Sequence, residues 1–462
     1  MNQRGSTTED LANETVTTAS GQRVTLPEKL SVLRRKLGHK AKQEPRYRFY
    51  ALYDRICRLD VLEAAYRLVR TKESSPGVDG ITYEMIEADP EGPSRLVQQL
   101  QDELRTYRYV PQAVQRVYID KENGKQRPLG IPTIRDRIVQ KAAVLILEPI
   151  FEVDFMDCSH GFRPGRSTAD AVAAIAANLK DGLTTVYDAD LQGYFDSIPH
   201  DQLMACLRQR ISDRSVLSLI EAWLKAPVVE PKQNHPGSKG GGGDKGSAGR
   251  NYQGTPQGGV ISPLLANIYL NWFDRPFSGR AGPAQWAKAR IVRYADDFVV
   301  QARYLSSQLV AWIEHQLEVR MGLKLNRDKT RQISVSAAGG SLDFVGYTLR
   351  YDRDLHGGRH RYLNIVPSKK AVARERDKLR RMTNASQCFV PVPELIVRLN
   401  RQLTGWSSAF RYGYPRMARR HLNHFVRQRL WRHLKRRSQR PYKVPKGQTI
   451  YSHLDRMGLA YL

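Results

Sequence analysis

The spacing of apolar residues along the chain predicts a mixture of helices and short strands. Between residues 26 and 104 apolar side chains recur at helical intervals, interrupted by the turn-rich segment SSPGVDGIT at 74–82. Residues 113–134 alternate between apolar and polar types around a glycine turn, which predicts a β-hairpin with basic residues at its tip. Further along, the pattern predicts helices at 137–155 and 168–180 and a strand at 184–191. This alternation indicates an α+β fold.

The second half of the chain changes character at Pro367. Before it, two apolar runs flank the sequence YADD at 294–297 and predict a second pair of strands. Beyond it, Ser368 can cap a helix, and Pro393 and Pro415 stand where first-turn prolines belong in two more. The pattern therefore predicts a helical C-terminal unit.

Two segments lack a folding pattern. Residues 1–25 are polar and irregular, which predicts a flexible leader. The glycine-rich stretch at 231–250 cannot form a packed core and is predicted to be a mobile surface loop.

Charge narrows the choice of partner. The chain carries 74 Lys and Arg against 46 Asp and Glu, a net charge of +28, which indicates a polyanion such as nucleic acid. No apolar run reaches the roughly 18 residues of a membrane span, and the N-terminus lacks the apolar segment of a signal peptide. We therefore expect a cytoplasmic protein without membrane contact. The four cysteines are widely scattered, which argues against a zinc module or a disulfide framework.

Three aspartates stand beside the predicted strands. Asp190 ends one β-rich run, and Asp296 and Asp297 occupy the turn of a second. Nucleotidyl transfer uses two divalent ions about 3.5–4 Å apart, held by clustered carboxylates, and Mg²⁺ prefers such oxygen ligands. An isolated pair of aspartates is more often a solvated turn. If the two segments are neighbouring strands, however, the three carboxylates meet at one edge of the sheet.

Several longer motifs resemble those of reverse transcriptases, in the same order and with similar spacing. They are VYDADLQGYFD (186–196), TPQGGVISPLLANIYL (255–270), RYADDF (293–298), LNRDKT (325–330) and LDFVGYTL (342–349). The class encoded by bacterial group II introns is indicated by PGVDGIT (76–82), RPLGIPTIRDRIVQ (127–140), HGFRPGRS (160–167) and the thumb-like LNRQLTGWSSAFRYG (399–413). No Cys or His cluster resembling an endonuclease module follows the predicted thumb.

The resemblance implies a right-hand polymerase fold. An N-terminal extension and fingers would occupy 26–183, and the palm 184–350 with the insert at 231–250. The remaining residues, 351–462, would form the helical thumb and maturase domain.

The same resemblance implies the metal ligands. Asp190, Asp296 and Asp297 would bind two Mg²⁺ ions, for which Mn²⁺ is a possible substitute, with the carbonyl of Leu191 as an additional ligand. Asp188 is a weaker candidate. Asp196 is interpreted as a helix-start or surface carboxylate rather than a ligand.

Nucleotide contacts are implied at two further motifs. Lys121 and Arg127 would grip the triphosphate, because a point-charge lysine and a forked arginine suit phosphate oxygens. The alternative is a solvated basic hairpin, in which Lys125 could replace either residue. Gln257 and Gly258 in TPQGG are candidates for the nucleotide pocket, because glycine lets a backbone approach closely.

Two single residues carry roles implied by motif position. Phe195 matches the aromatic residue that excludes a ribose 2′ hydroxyl, although simple core packing is the alternative. Lys329 resembles a lysine near the triphosphate that can donate a proton to the departing pyrophosphate. A surface lysine would look the same.

Basic residues supply candidate RNA contacts. Residues 401–440 contain twelve Lys or Arg and no Asp or Glu, whereas most charge runs are simply solvated faces. The predicted RNA contacts are Arg163, Arg166, Arg420, Arg427 and Lys435. Helical spacing places the last three opposite an apolar stripe formed by Leu422, Val426, Leu430 and Leu434. Contacts of this sort contribute affinity rather than sequence recognition.

The function expected is therefore synthesis of DNA from an RNA template, combined with binding of the parental intron RNA to assist splicing and mobility. The expected partners are structured intron RNA, an RNA template, a DNA primer or target and dNTPs, with nucleoid association during mobility. One alternative is a defence, retron-like or CRISPR-associated reverse transcriptase without an intron. Another is a non-catalytic RNA-binding splicing factor, against which the intact aspartates argue.

Overall fold

The computed structural model describes residues 14–17, 22–71, 75–120, 126–231, 248–249, 253–353, 361–438 and 442–462. The chain forms two compact units, and each is built from separate stretches of sequence. The first unit comprises Met1–Gly165, Asp190–Gly282 and Ala311–Asn326. The second comprises Arg166–Ala189, Pro283–Val310 and Arg327–Leu462.

The elements of the first half of the chain are, in order, β1 (Thr15–Thr17), β2 (Arg23–Thr25), α1 (Glu28–Gln43), α2 (Tyr53–Ile56), α3 (Leu59–Arg70), α4 (Tyr83–Glu87), α5 (Gly92–Arg105), β3 (Val114–Asp120), β4 (Gln126–Ile131), α6 (Ile134–Glu152), α7 (Thr168–Lys180), β5 (Thr185–Ala189), α8 (Tyr194–Ser197), α9 (His200–Arg208), α10 (Arg214–Leu224) and β6 (Val228–Val229).

The second half contains β7 (Ala248–Gly249), α11 (Ser262–Ser278), α12 (Pro283–Trp286), β8 (Arg290–Tyr294), β9 (Asp297–Ala302), α13 (Ser307–Glu314), a π-helical stretch (His315–Arg320), β10 (Arg331–Ser334), β11 (Ser341–Phe344), β12 (Tyr347–Arg353), β13 (Arg361–Pro367), α14 (Lys369–Met382), a 3₁₀ turn (Ala385–Gln387), α15 (Val392–Ala409), α16 (Arg416–Arg436) and α17 (Ile450–Arg456). Among the described helices, none combines the length and the hydrophobicity of a membrane span.

The first unit is organised around α6, in which 14 of the 19 residues are buried. The helix begins at Thr133, whose hydroxyl accepts a hydrogen bond from the amide of Asp136 and so satisfies one of the unpaired first-turn donors. The carboxylate of Asp136 in turn accepts from Tyr109 Oη at 2.6 Å and from Thr133 Oγ1 at 2.7 Å. Burial raises the pKa of Asp136 above its ordinary value, and these donors oppose the shift.

Part of the predicted leader is folded. Strands β1 and β2 pair in antiparallel register, with Val16 opposite Val24. Arg34 on α1 holds this hairpin through Glu14, at 2.8 Å from its Nε. The prediction that 1–25 is flexible throughout is therefore wrong for 14–17 and 22–25. The predicted loop at 231–250 lies almost wholly outside the described residues, and its residues 248–249 form β7.

The second unit contains two antiparallel sheets. Strands β10, β5, β9 and β8 lie side by side in that order, and β11, β12 and β13 form the other sheet. Helix α7 contributes Ala171, Val172 and Ile175 to an apolar core shared with these strands. The first sheet carries the residues of greatest chemical interest, because two of its strands end beside the predicted carboxylates.

The C-terminal helices form a second apolar core within the same unit. Apolar residues at helical spacing form a buried stripe on α15, with Leu395, Leu399 and Leu403 packed against Leu422 and Val426 of α16. The predicted cap is confirmed, since the Ser368 hydroxyl accepts from the amide of Ala371 at 3.1 Å.

Two asparagines hold the last residues of the chain. Asn400 donates to the carbonyl of Gly458 at 2.7 Å and accepts from the amide of Ala460 at 2.8 Å. Asn423 donates to the carbonyl oxygen of Leu462 at 3.3 Å and accepts from the Leu462 amide at 3.1 Å. Each asparagine side chain therefore donates to one backbone carbonyl and accepts from one backbone amide, as a neighbouring β-strand does.

Candidate active site

The hairpin of β8 and β9 carries the predicted aspartate pair at its turn. Tyr294 is paired with Asp297, so the turn itself consists of Ala295 and Asp296. Ala295 has a φ of +58°, a left-handed conformation that is uncommon for a residue with a β-carbon. A tight two-residue turn with positive φ matches the twist of the flanking strands. The fold therefore holds Asp296 and Asp297 on a constrained piece of backbone.

Strand β5 lies directly beside β9. Ala189 is paired with Phe298, the residue after Asp297. Asp190 follows Ala189 in the chain, and consecutive Cα atoms are about 3.8 Å apart. The prediction that the two carboxylate-bearing segments are neighbouring strands is thus confirmed.

The main chain after β5 makes a single bridge. Leu191 is opposite Leu325, and the bridging hydrogen bonds run from Asn326 N to Asp190 O and from Gln192 N to Lys324 O, both at 2.8 Å. In an antiparallel pair of this kind the central residue directs its own carbonyl away from the partner strand. The Leu191 carbonyl therefore points away from Leu325, and its role as a metal ligand stays a prediction.

Clustered carboxylates are the feature that the metal prediction needs. Within the described parts of the chain, no group of three His, Cys, Asp or Glu side chains is arranged to hold a metal ion. The ligand set consequently rests on strand register and on the oxygen-rich chemistry of the residues, not on an assembled cluster.

Lys329 lies at the opposite edge of the sheet from β8. It is an exposed turn residue two positions before β10, whose Arg331 is paired with Asp188 of β5. Its predicted contact with the triphosphate stays a prediction.

Phe195 belongs to the one-turn helix α8 and is 8% exposed. Its ring makes edge-to-face contacts with Tyr194, at a centroid distance of 5.5 Å, and with Phe162, at 6.3 Å. The amide of Thr255 donates to the Phe195 carbonyl at 2.7 Å, which ties α8 to the loop before Gln257. Burial alone fits both the gate and the core-packing interpretation.

The TPQGG turn packs backbone against backbone. The amide of Gly130 on β4 donates to the Gln257 carbonyl at 2.7 Å. Gly258 has a φ of +122°, and a β-carbon there would lie 2.6 Å from the Gly130 carbonyl oxygen. The close approach that this glycine permits is therefore to strand β4, and a contact with nucleotide stays a prediction.

The β3–β4 hairpin borders a cavity of about 510 Å³ in the first unit. Its lining includes Arg116, Tyr118, Pro128, Asp196, Gln253 and Pro256. A hydrogen bond to the carboxylate of Glu230 raises the pKa of Tyr118. The cavity has the size of an ordinary small-molecule site, and it adjoins the Phe195 helix through Asp196.

Arg127 faces the other way. It is paired with Ile119, and its neighbour Pro128 lines the cavity; successive residues of a strand point to opposite faces. Arg127 is exposed on the face of the hairpin away from Arg116. Lys121 and Lys125 lie outside the described residues.

Arg163 is not a surface RNA contact. It is 7% exposed and donates to Glu152 Oε1 at 2.7 Å and to the carbonyls of Met156 and Ser159 at 2.8 Å. Its guanidinium also lies 5.3 Å from the centre of the Phe155 ring. The predicted role is therefore corrected, because a buried arginine satisfied by these internal acceptors has a structural function. Arg166 is half-buried, and its predicted role is not decided by this position.

The basic residues of α16 are not equivalent. Arg420 and Lys435 are exposed. Arg427 pairs with Asp455 at 2.6 Å and lies 5.2 Å from the ring centres of both Tyr451 and Tyr461. The prediction that Arg427 lies opposite the Leu422–Leu434 stripe is wrong, because its side chain is only 17% exposed and it stands one turn after buried Asn423, beside that stripe.

Two residues that the motifs did not single out contact predicted site elements. Arg293 is fully buried, and its Nη1 donates to the Ala295 carbonyl at 2.9 Å. An arginine directly after the apolar Ile291 and Val292 of β8 is the signal that could have identified it. Phe162, which contacts Phe195, has a φ of +60° that no sequence pattern indicates.

Comparison with known proteins agrees with the geometry. The family model for reverse transcriptase (RNA-dependent DNA polymerase) matches residues 119–349. A second model, for the group II intron maturase-specific domain, matches residues 372–449. The two matches cover the sheet with its aspartate turn and the C-terminal helices respectively.

Individual relatives give the same result. Protein YkfC of Escherichia coli (strain K12) is 36% identical over 380 residues, covering 74% of this chain and 93% of that protein. The group II intron-encoded protein LtrA of Lactococcus lactis subsp. cremoris is 31% identical over 373 residues, covering 66% of this chain and 57% of LtrA. The chain thus spans little more than half of LtrA. It belongs to the reverse transcriptases, which are RNA-directed DNA polymerases, and it carries the maturase-specific domain of group II intron proteins.

Proposed function

We propose that Asp190, Asp296 and Asp297 hold the two divalent ions of the polymerase site, with the carbonyl of Leu191 as a further ligand. The pairing of Ala189 with Phe298 carries this proposal, because it brings the end of β5 beside the start of β9. Three carboxylates and a carbonyl form an all-oxygen donor set, which suits Mg²⁺ and also accepts Mn²⁺. When bound, the ions would lower the barrier to attack by the primer 3′ hydroxyl and stabilise the departing pyrophosphate.

The protein's own contribution is orientation. The Ala295 turn fixes where the aspartate pair stands, and the sheet fixes its distance from β5. Lys121 and Arg127 would hold the triphosphate, and Lys329 would supply a proton to pyrophosphate. Phe195 would exclude the ribose 2′ hydroxyl, which makes the enzyme select dNTPs. Gln257 would contact the incoming nucleotide from the turn that Gly130 supports.

The thumb would bind intron RNA. Exposed Arg420 and Lys435 on α16, within a segment that contains no Asp or Glu from 401 to 440, give this part of the chain an unbalanced positive charge. RNA folds poorly without counterions, so a protein that holds several helices by their phosphates can replace diffuse Mg²⁺ and stabilise the active ribozyme. We therefore assign the chain splicing assistance and retrohoming in addition to cDNA synthesis.

The polymerase proposal is tested by primer extension on an RNA template. Asp296→Asn and Asp190→Asn should abolish extension while leaving the thermal unfolding profile and RNA affinity nearly unchanged. Asp343→Asn is the matched control and should extend normally, because Asp343 is an exposed aspartate on β11, in the second sheet of the unit that contains Asp296. Ordinary extension by either active-site variant would remove that residue from the site.

The splicing proposal needs a separate readout, namely the rate of intron release from the RNA that flanks the gene at low Mg²⁺. Wild-type protein and Asp296→Asn should accelerate release equally, because the chemistry of splicing belongs to the RNA. A variant with Arg420→Ala and Lys435→Ala should assist less. If wild type gives no acceleration, the chain is a reverse transcriptase without an intron partner.

A further inference from the structure

Phe162 adopts a backbone conformation that a large side chain rarely accepts. Its φ is +60°, and its side chain is 50% exposed. Glycine or asparagine would occupy this left-handed region at lower cost. A bulky aromatic residue held there, half in solvent, indicates that its ring is needed where it stands, since strained positions of this kind concentrate at functional sites.

The neighbouring residues hold Phe162 in this conformation from both sides. On one side, Asn267 of α11 is 1% exposed and donates from Nδ2 to the Gly161 carbonyl at 2.8 Å. On the other, buried Arg163 is fixed by Glu152 and by two backbone carbonyls. With both flanking residues anchored, the chain between them has little freedom to relax the strain.

The ring of Phe162 is directed at Phe195. The two ring centres are 6.3 Å apart and the planes are inclined at 71°, an edge-to-face arrangement that aromatic pairs favour. The other aromatic neighbour of Phe195 is Tyr194, which is fixed by a hydrogen bond from its hydroxyl to the Ala266 carbonyl at 2.7 Å. Phe195 is therefore flanked by two aromatic rings: the buried Tyr194, fixed by its hydrogen bond to α11, and the exposed Phe162, whose backbone is anchored through Gly161 and Arg163.

We propose that Phe162 is a positioning residue for sugar selection: it holds the ring of Phe195 in the orientation that excludes a ribose 2′ hydroxyl. This inference rests on the proposed gate function of Phe195. Without the Phe162 ring, Phe195 keeps its backbone, which Thr255 secures, but gains rotational freedom of the side chain. The Phe195 ring then remains in place with a less fixed orientation. Discrimination against ribonucleotides falls, while polymerisation with dNTPs continues.

The test measures kcat/KM for a dNTP and for the matching ribonucleotide on an RNA template, using the full chain. The selectivity ratio is kcat/KM for the dNTP divided by kcat/KM for the ribonucleotide. Phe162→Ala should lower this ratio by about three- to tenfold, the range expected for loss of one aromatic pair. Phe162→Tyr should keep the wild-type ratio. Phe162→Asn removes the ring and also relieves the backbone strain, so it should match Phe162→Ala in selectivity even if the alanine variant folds poorly.

Tyr107 supplies a matched control. It is also an exposed aromatic residue with positive φ, at +55°, but its ring stacks on Tyr53 at 5.2 Å. Tyr107→Ala should leave the selectivity ratio unchanged, and an equal fall in this variant would show that general loosening of the fold is responsible.

Phe195→Val separates this inference from the function on which it rests. If Phe195→Val lowers the ratio while Phe162→Ala and Phe162→Asn do not, the positioning role is overturned and the gate stands. If Phe195→Val leaves the ratio unchanged, the gate itself is overturned and the positioning role with it. A normal ratio in Phe162→Asn combined with a low ratio in Phe162→Ala would assign the effect to backbone strain, and would overturn the role of the ring.

Discussion

The guanidinium of Arg293 donates a hydrogen bond of 2.9 Å to the carbonyl oxygen of Ala295, at the turn that carries Asp296. Arg293 has no exposed surface. A buried cation is costly unless it is well bonded, so its presence three residues before Asp296 indicates a constraint on the turn. Ala295 has positive φ, and this donor supports the strained residue from inside the sheet.

Replacing Arg293 should reduce catalysis more than substrate binding. Arg293→Met leaves the Ala295 carbonyl without this donor in a buried site, which should cost about 1–3 kcal/mol of unfolding free energy. The turn also loses its constraint, so kcat for primer extension should fall while KM for dNTP changes little. Arg290→Met is the control, because Arg290 lies on the same strand but is exposed and pairs with Asp181. An unchanged kcat in Arg293→Met would reduce Arg293 to a core residue.

The two faces of the β3–β4 hairpin can be distinguished by mutation. If Arg127 grips the triphosphate, Arg127→Ala should raise KM for dNTP by about tenfold or more, the effect of losing a charge-assisted hydrogen bond. Arg116→Ala, on the cavity face beside Glu230, should raise it much less. Steady-state extension on an RNA template measures both. The reverse order of effects would move the triphosphate site to the cavity lined by Arg116 and Asp196.

Within α16, exposed and paired basic residues should differ in their effect on RNA binding. Replacing Arg420 and Lys435 together with alanine should weaken affinity and reduce the slope of log affinity against log salt by about one unit per lost phosphate contact. Arg427→Ala should instead lower thermal stability, because Arg427 joins α16 to Asp455. Binding titrations at several salt concentrations check this. If Arg427→Ala reduced the salt slope and the Arg420→Ala, Lys435→Ala variant did not, the assignment would be contradicted.

Glu375 should make the stability of the C-terminal helices depend on pH. It is 4% exposed, accepts from Gln402 Nε2 at 2.7 Å, and burial raises the pKa of its carboxyl. A raised pKa means that the folded state binds a proton more tightly than the unfolded state does. The ionised group therefore destabilises the fold increasingly as pH rises above its unfolded pKa, about 4.3.

Glu375→Gln removes this charge and keeps an acceptor for Gln402. Its unfolding temperature should exceed that of wild type at pH 7, and the difference should shrink as pH falls toward 4. Thermal unfolding followed across that range measures it. The exposed Glu394 supplies the control, because Glu394→Gln should show no such trend. A difference that grows on acidification would contradict the sign argued here.

Much of the fold could be predicted from local pattern. Helix α7 spans Thr168–Lys180, which are the residues predicted, because its apolar spacing and its Ser167 capping box are both local signals. Strand β5 was predicted for the same reason. The pair β1 and β2 was missed, since three residues are too few for alternation to be recognised.

The site was less predictable where distant residues decide the outcome. Asp296 and Asp297 were identified because a short motif contains them. Arg163 was predicted to be a surface RNA contact. Its ion-pair partner, Glu152, lies eleven residues earlier in the chain, and no local pattern links the two. Likewise, the partner of Arg427 is Asp455, in a helix that comes later in the chain. Charge pairing across such separations leaves no periodic trace in the sequence.

The division of each unit among separate stretches of sequence has a consequence for synthesis. The first unit includes residues up to Asn326, and the second already includes Arg166–Ala189. Strand β5 lies between β10 and β9 in its sheet. During synthesis β5 therefore has no strand to pair with until β9, more than a hundred residues later, has left the ribosome. During that interval two strand edges are open to wrong pairing. Translation speed and chaperone supply between residues 190 and 334 should therefore govern the yield of folded enzyme more than they do for a polymerase whose domains are contiguous.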